Sequence, residues 1–119
     1  MTDTILWQRL EGLVVFVVSV VYFANLDSGL PIWAAVLIFF APDLSFAAYA
    51  AGPKFGAFAY NLVHIYALGA VLIVAGLLTA NVLMTAIGAL MLAHTGFDRA
   101  LGYGLKSTKG FKHTHMGDL

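Results

Sequence analysis

Four runs of about twenty predominantly apolar residues, separated by only a few polar ones, leave this chain very few ways to fold. Each run is long enough to cross a bilayer as a helix at a rise of about 1.5 Å per residue. Their bounds fall at about residues 4–24, 31–51, 54–78 and 81–102. With 61% of 119 residues hydrophobic and 10% charged, there is too little polar side chain to clothe a water-soluble domain. The sequence therefore predicts an all-α integral membrane protein. A four-helix antiparallel bundle consumes residues 1–102 and leaves a tail over 103–119, so residues 1–119 form a single transmembrane domain.

Helix-ending residues stand between the runs. Asn25, Asp27, Ser28, Gly29 and Pro31 follow the first, Gly52 and Pro53 the second, and Thr79 and Asn81 the third. The first run is not read as a cleaved signal, because Glu11 stands at its edge and no clean small-x-small pattern precedes Asn25. Under this topology Arg9, Lys54, Arg99, Lys106, Lys109 and Lys112 all fall on one side, whereas the opposite connections carry Asp27 and no Lys or Arg. The positive-inside rule then makes both termini cytoplasmic. Trp7, Tyr22, Trp33 and Tyr103 fall near run ends, where amphipathic rings sit at a lipid interface.

Polar side chains inside such runs are costly and mark candidate sites. Counting inward from the cytoplasmic boundary puts Glu11, Asp43, His64 and His94 in one layer, roughly 10–15 Å deep, one from each helix. Asn61 and Asp98 form an outer tier, with Arg9 and Arg99 nearer the boundary and Tyr60 one turn from His64. Each residue alone has an ordinary structural reading: a packed histidine, an interfacial Glu11–Arg9 pair, a boundary Asp98–Arg99 pair. Two histidines and two acids at one depth, in a chain with only six acidic residues, favour a shared site. Pro42 beside Asp43 removes a backbone donor and kinks that helix, as membrane helices often tolerate.

Imidazole with carboxylate suits zinc, manganese or non-haem iron, and the residue types alone do not choose among them. In the metal reading Asp43, His64 and His94 are ligands, Glu11 or Asp98 is the catalytic base, and Asn61, Tyr60, Arg99 and His115 support ligands or substrate. Haem is disfavoured because Asp43 and Glu11 would share its pocket. The chain has no Cys, so thiolate ligation is excluded. A proton or ion relay through the same groups needs no metal and predicts a small transporter, as a homo-oligomer because four helices enclose little volume. A polar layer that only fixes helix register predicts a structural or partner-binding protein. No phosphate-binding Gly loop, nucleophilic Ser motif or nucleic-acid signature is present, and the expected partner is the lipid bilayer.

A succession of local motifs carries a family resemblance. Arg9-Leu10-Glu11-Gly12, Pro42-Asp43-Leu44-Ser45, Gly52-Pro53 and Tyr60-Asn61-x-x-His64-x-Tyr66 come first. His94-x-Gly96-x-Asp98-Arg99-Ala100-Leu101-Gly102-Tyr103-Gly104-Leu105-Lys106 and Gly110-Phe111-Lys112-x-Thr114-His115 follow. Together they resemble a small bacterial membrane family catalogued as a domain of unknown function. The resemblance implies four membrane helices in a bacterial inner membrane and supplies no activity. His113 stands where that pattern has an Asp, so a carboxylate role in the tail is not carried over. More loosely, Pro42-Asp43 on one helix with histidines on later ones looks like the membrane-bound metal-dependent hydrolases, without their adjacent His-Arg and Thr-His-Ser signatures. The tail itself reads as a basic segment held at anionic headgroups, or as a lid bringing His113 or His115 over the mouth of the bundle. The reading that joins these observations is a metal-dependent hydrolase acting on a membrane-accessible substrate.

Overall fold

The computed structural model describes residues 3–107 and 110–116. Lys109 lies outside the described residues, and so do the side chains of Lys112 and His113. All four apolar runs are helical. The first is one helix, α1 (Asp3–Ala24), and the last is one helix, α5 (Val82–Leu101). Asn81 caps α5 by accepting a hydrogen bond from the Met84 backbone N–H at 3.1 Å. Gly102, at φ 97°, closes the other end, with the Tyr103 N–H donating back to the Asp98 carbonyl at 2.8 Å.

The second and third runs are not the single α-helices that the sequence predicts. α2 (Ile32–Phe40) gives way at Pro42 to a 3-10 helix over Ala41–Ala51, since proline cannot donate to the α-helical ladder. The third run breaks into α3 (Pro53–Val63) and α4 (Tyr66–Leu78), bent by 45° across His64 and Ile65. Among the described residues, α1 and the continuous helical stretch Ile32–Ala51 are long and apolar enough to cross a membrane, and α3 with α4 makes a third if counted as one span. The tail forms a small antiparallel hairpin of β1 (Lys106–Ser107) and β2 (Gly110–Thr114), laid against α3.

α5 is the hub: α1 and α4 both pack along it, while α3 packs against the 3-10 helix. Glycine lets the backbones meet. A Cβ added to Gly96 would come within 2.6 Å of the Gly12 carbonyl, and one added to Gly88 within 2.7 Å of the Gly69 carbonyl. Polarity is distributed inside out. Ser19, His64, Thr85, His94, Thr95, Asp98 and Arg99 are buried, whereas Val14, Val18, Ile32, Leu37, Val71 and Leu78 are exposed. An interior that carries the polar groups and a surface of aliphatic side chains is consistent with a membrane protein.

Candidate metal centre

The break in the third run makes the centre. In an unbroken helix the Tyr60 carbonyl would accept from the His64 backbone N–H, but that N–H turns instead to the Asn61 carbonyl at 3.0 Å. The freed Tyr60 carbonyl accepts from His64 Nδ1 at 2.7 Å. A carbonyl can only accept, so in the neutral ring the proton sits on Nδ1 and Nε2 presents its lone pair. The Tyr60 ring stacks on the imidazole at a centroid distance of 3.7 Å and an interplanar angle of 7°, fixing the plane as well as the tautomer. The His64 carbonyl, freed by the same break, accepts from Arg99 Nη2 at 2.7 Å.

Three other side chains converge on His64 Nε2. His94 and Asp98 stand four residues apart on α5 and so share a face. Asp43 arrives from the first turn of the 3-10 helix. Asp43 Oδ1 lies 3.3 Å from His64 Nε2 and 3.1 Å from His94 Nε2, and the two imidazole nitrogens are 3.2 Å apart. Asp98 Oδ2 lies 3.5 Å from His64 Nε2 and 3.4 Å from His94 Nε2. One ligand atom from each of the four residues falls within 4.8 Å of all the others, so the quartet could hold a metal ion.

The spacing is a test of fit. Tetrahedral bonds of about 2.0–2.1 Å set donor atoms about 3.3–3.4 Å apart, and octahedral bonds of that length set neighbours about 3.0 Å apart. Five of the six separations, at 3.1–3.5 Å, lie close to the tetrahedral value, and the sixth, between the two carboxylates, is within 4.8 Å. The chemistry agrees: the His64 lone pair and two carboxylates are acceptors with no proton to share, so a cation among them removes their mutual repulsion. His94 Nδ1 is buried with no hydrogen-bond partner among the described residues, so that ring is positioned by packing instead. Phe39 and Phe40 meet it edge-on at centroid distances of 5.3 and 6.4 Å. Access is one-sided. The side chains of His64, His94 and Asp98 are 0%, 2% and 12% exposed, against 51% for Asp43.

The expected layer of Glu11, Asp43, His64 and His94 thus differs in one member. Asp98, expected in the outer tier, joins the quartet, and Glu11 does not. Glu11 instead lines a separate cavity of about 260 Å³ with Gln8, Tyr66, Arg99 and His115. Asn61 is turned away from the centre: its side-chain amide accepts from the Lys106 N–H at 2.7 Å and donates to the Lys106 carbonyl at 2.8 Å, as another strand would. Arg99, for which a boundary pair with Asp98 is the ordinary structural reading, donates to the carbonyls of His64 and Tyr103. His115 Nδ1 accepts from the Leu105 N–H at 2.8 Å and pins the base of the hairpin.

Two tail groups have shifted titrations. Burial pushes the Lys106 amine below the usual lysine range, and its Nζ lies 4.9 Å from the centre of the Tyr60 ring. Partial desolvation, with the Arg99 charge adding to it, lowers His115 below the ordinary imidazole value. Neither Lys106 nor the Phe39–Phe40 pair stood out among the sequence-level site candidates. Their contribution is contact with Tyr60 and His94, and residue type alone carries no signal for that.

No curated protein and no solved structure matches the chain. The chain belongs to the family described as Domain of unknown function (DUF4260), whose family model matches residues 5–119.

Proposed function

We propose that the chain is a four-span bundle of the bacterial inner membrane, with both termini cytoplasmic, that binds zinc through His64, His94 and Asp98 and, with Asp43 beside the ion, hydrolyses a membrane-accessible substrate. α5 serves as the fourth span despite Asp98 and Arg99, because both are buried against neighbouring helices rather than turned to lipid. The observation that carries the reading is the set of separations of 3.1–3.5 Å that join His64 Nε2 and His94 Nε2 to each other and to the two carboxylates, with the His64 tautomer selected by the Tyr60 carbonyl. Zinc favours four tetrahedral nitrogen and oxygen donors, whereas magnesium and calcium favour more oxygens.

Buried His64, His94 and Asp98 would hold the ion, and half-exposed Asp43 faces the approach. The ion supplies Lewis acidity and lowers the pKa of a water brought to it. Asp43, exposed on the approach side, would take one proton from an attacking water whose oxygen bonds to the electrophilic carbon or phosphorus. The bond to the leaving group breaks with its electron pair, and Asp43 returns the proton to the leaving atom. Arg99 and Tyr60 are positioning residues, acting through the backbone and ring of His64.

Elemental analysis of the purified full chain tests this. The expectation is one zinc per chain, lost in His64→Ala and in His94→Ala but retained in His115→Ala. A chain without stoichiometric metal, or metal retained in both of the first two variants, overturns it. A second reading rests on the same short separations, which also suit a proton relay in a homo-oligomeric transporter. Metal-free protein that moves ions across liposomes in a pH-dependent way supports that alternative.

A further inference from the structure

An apolar groove of about 320 Å³ runs between α1 and α2, with Phe16, Val20, Ala35, Phe39, Phe40 and Leu90 among its walls. Its size lies at the lower end for small-molecule sites, which span about 300–1,000 Å³. Phe39 and Phe40, which line it, are the same two rings that meet His94 edge-on, so one wall of the groove adjoins the quartet. Phe16, Phe39 and Phe97 pack against one another at centroid distances of 5.3–6.2 Å, which joins the groove wall to α5. Along α2 the groove extends from Ile32 to Phe40, about 12 Å at helical rise.

We infer that this groove seats the hydrocarbon chain of a single-chain amphiphile, with its polar head at Asp43 and the quartet. The inference rests on the hydrolase reading for what happens to the head, and on the groove alone for the tail. The occupant is aliphatic because every wall residue named is apolar and the flanking α1 and the helical stretch Ile32–Ala51, of which α2 is the first part, are long and apolar enough to lie in lipid. It is single-chained because the groove is one track of about 320 Å³ along α2, with Phe39 and Phe40 shared between its wall and the contact to His94. Under the proposed topology the quartet lies nearer the cytoplasmic face and the groove runs from it toward the other side. The amphiphile therefore enters from the cytoplasmic leaflet and keeps the direction it has in the bilayer. An acyl ester or acyl amide of this shape presents its carbonyl where the ion and Asp43 act.

Dodecanoic acid carrying a diazirine at the end of its chain tests the groove, with the full-length protein in nanodiscs and adducts mapped by peptide mass spectrometry. Saturable labelling of α1 and α2 around Val20 and Val36, competed by unlabelled dodecanoic acid, is expected. Filling the groove with Val36→Trp should cut it about tenfold, on the scale by which apolar pockets discriminate. Val36 is half exposed, so this variant spares the fold; Ala35→Phe blocks the same track from its buried side. Labelling spread evenly over the exposed faces of α1, α2 and α4, or indifferent to both fillers, overturns the inference. The groove is separable from the metal. Labelling that persists in the His64→Ala/His94→Ala protein supports the tail site, while absence of zinc from the wild-type chain removes the hydrolase reading and leaves the groove as a lipid site.

Discussion

Arg99 Nη2 donates to the His64 backbone carbonyl at 2.7 Å, across a break where the helix supplies no partner for that oxygen. The same guanidinium reaches the Tyr103 carbonyl at 3.1 Å, so one side chain ties the bend before α4 to the end of α5. It thereby fixes how His64 meets His94 and Asp98. Lysine can carry the charge but cannot span both carbonyls with one planar fork. Arg99→Lys should weaken metal affinity roughly 10- to 100-fold, the range usual for groups that orient ligands, with helix content unchanged. Competition against a chromophoric zinc chelator measures it; unaltered affinity would show that the bend holds without Arg99.

The two carboxylates should separate in their effects. Asp98 is buried and shares a face of α5 with His94, whereas the Asp43 side chain is half exposed. Asp98→Asn removes a buried donor and should release most of the zinc. Asp43→Asn should keep the zinc and lose turnover, by roughly 100-fold or more, as expected for a missing general base. Equal loss of zinc in both would make Asp43 a ligand of the same rank and leave the proton transfer without its proposed carrier.

The helical runs and most of the quartet were legible in the sequence, because apolar stretches of membrane length and costly polar interruptions are physical signals in themselves. The exchange of Glu11 for Asp98 was not. Depth counted along straight helices at about 1.5 Å per residue cannot register a 3-10 helix, which rises about 2.0 Å, or the 45° bend at His64 and Ile65. Both lie in the elements that deliver Asp43 and His64. The hairpin was also hidden, since Asn61 meets the backbone of Lys106, 45 residues away, and backbone partners leave no trace in residue identity. Pro42 did announce a break in the second run, though not that 3-10 geometry would continue to Ala51.

Close approach of α4 and α5 sets the height of His94 and Asp98 along the bundle, and it depends on Gly69 and Gly88. A Cβ at Gly69 would stand 2.9 Å from the Gly88 carbonyl, and one at Gly88 would stand 2.7 Å from the Gly69 carbonyl. Backbone atoms cannot yield as a side chain can, so the helices must separate. Gly88→Val should destabilise the protein by about 1–3 kcal/mol through overpacking and weaken zinc binding with it. Thermal unfolding in detergent reads the first and zinc titration the second. An unchanged melting midpoint would mean that the helices have room to shift.

Docking of the tail should depend on pH through His115. Its ring accepts from the Leu105 N–H, and a protonated imidazole has no lone pair with which to accept. Glu11, Tyr66 and Arg99 line the cavity beside it; partial desolvation, with the Arg99 charge adding to it, lowers its pKa in the folded protein. The undocked tail, with an imidazole near the ordinary value of about 6.5, therefore binds the proton more readily. Stabilisation from His115 is fully present above that value and is lost as pH falls through the depressed folded value. Hydrogen exchange at the Leu105 amide should accelerate below about pH 6.5, after correction for the intrinsic pH dependence of exchange, and His115→Phe should abolish the extra acceleration. Asn61→Ala removes the other tie and should speed exchange at Lys106 at every pH, since Asn61 does not titrate in this range. An identical pH profile in the His115→Phe protein would assign the docking to Asn61 alone.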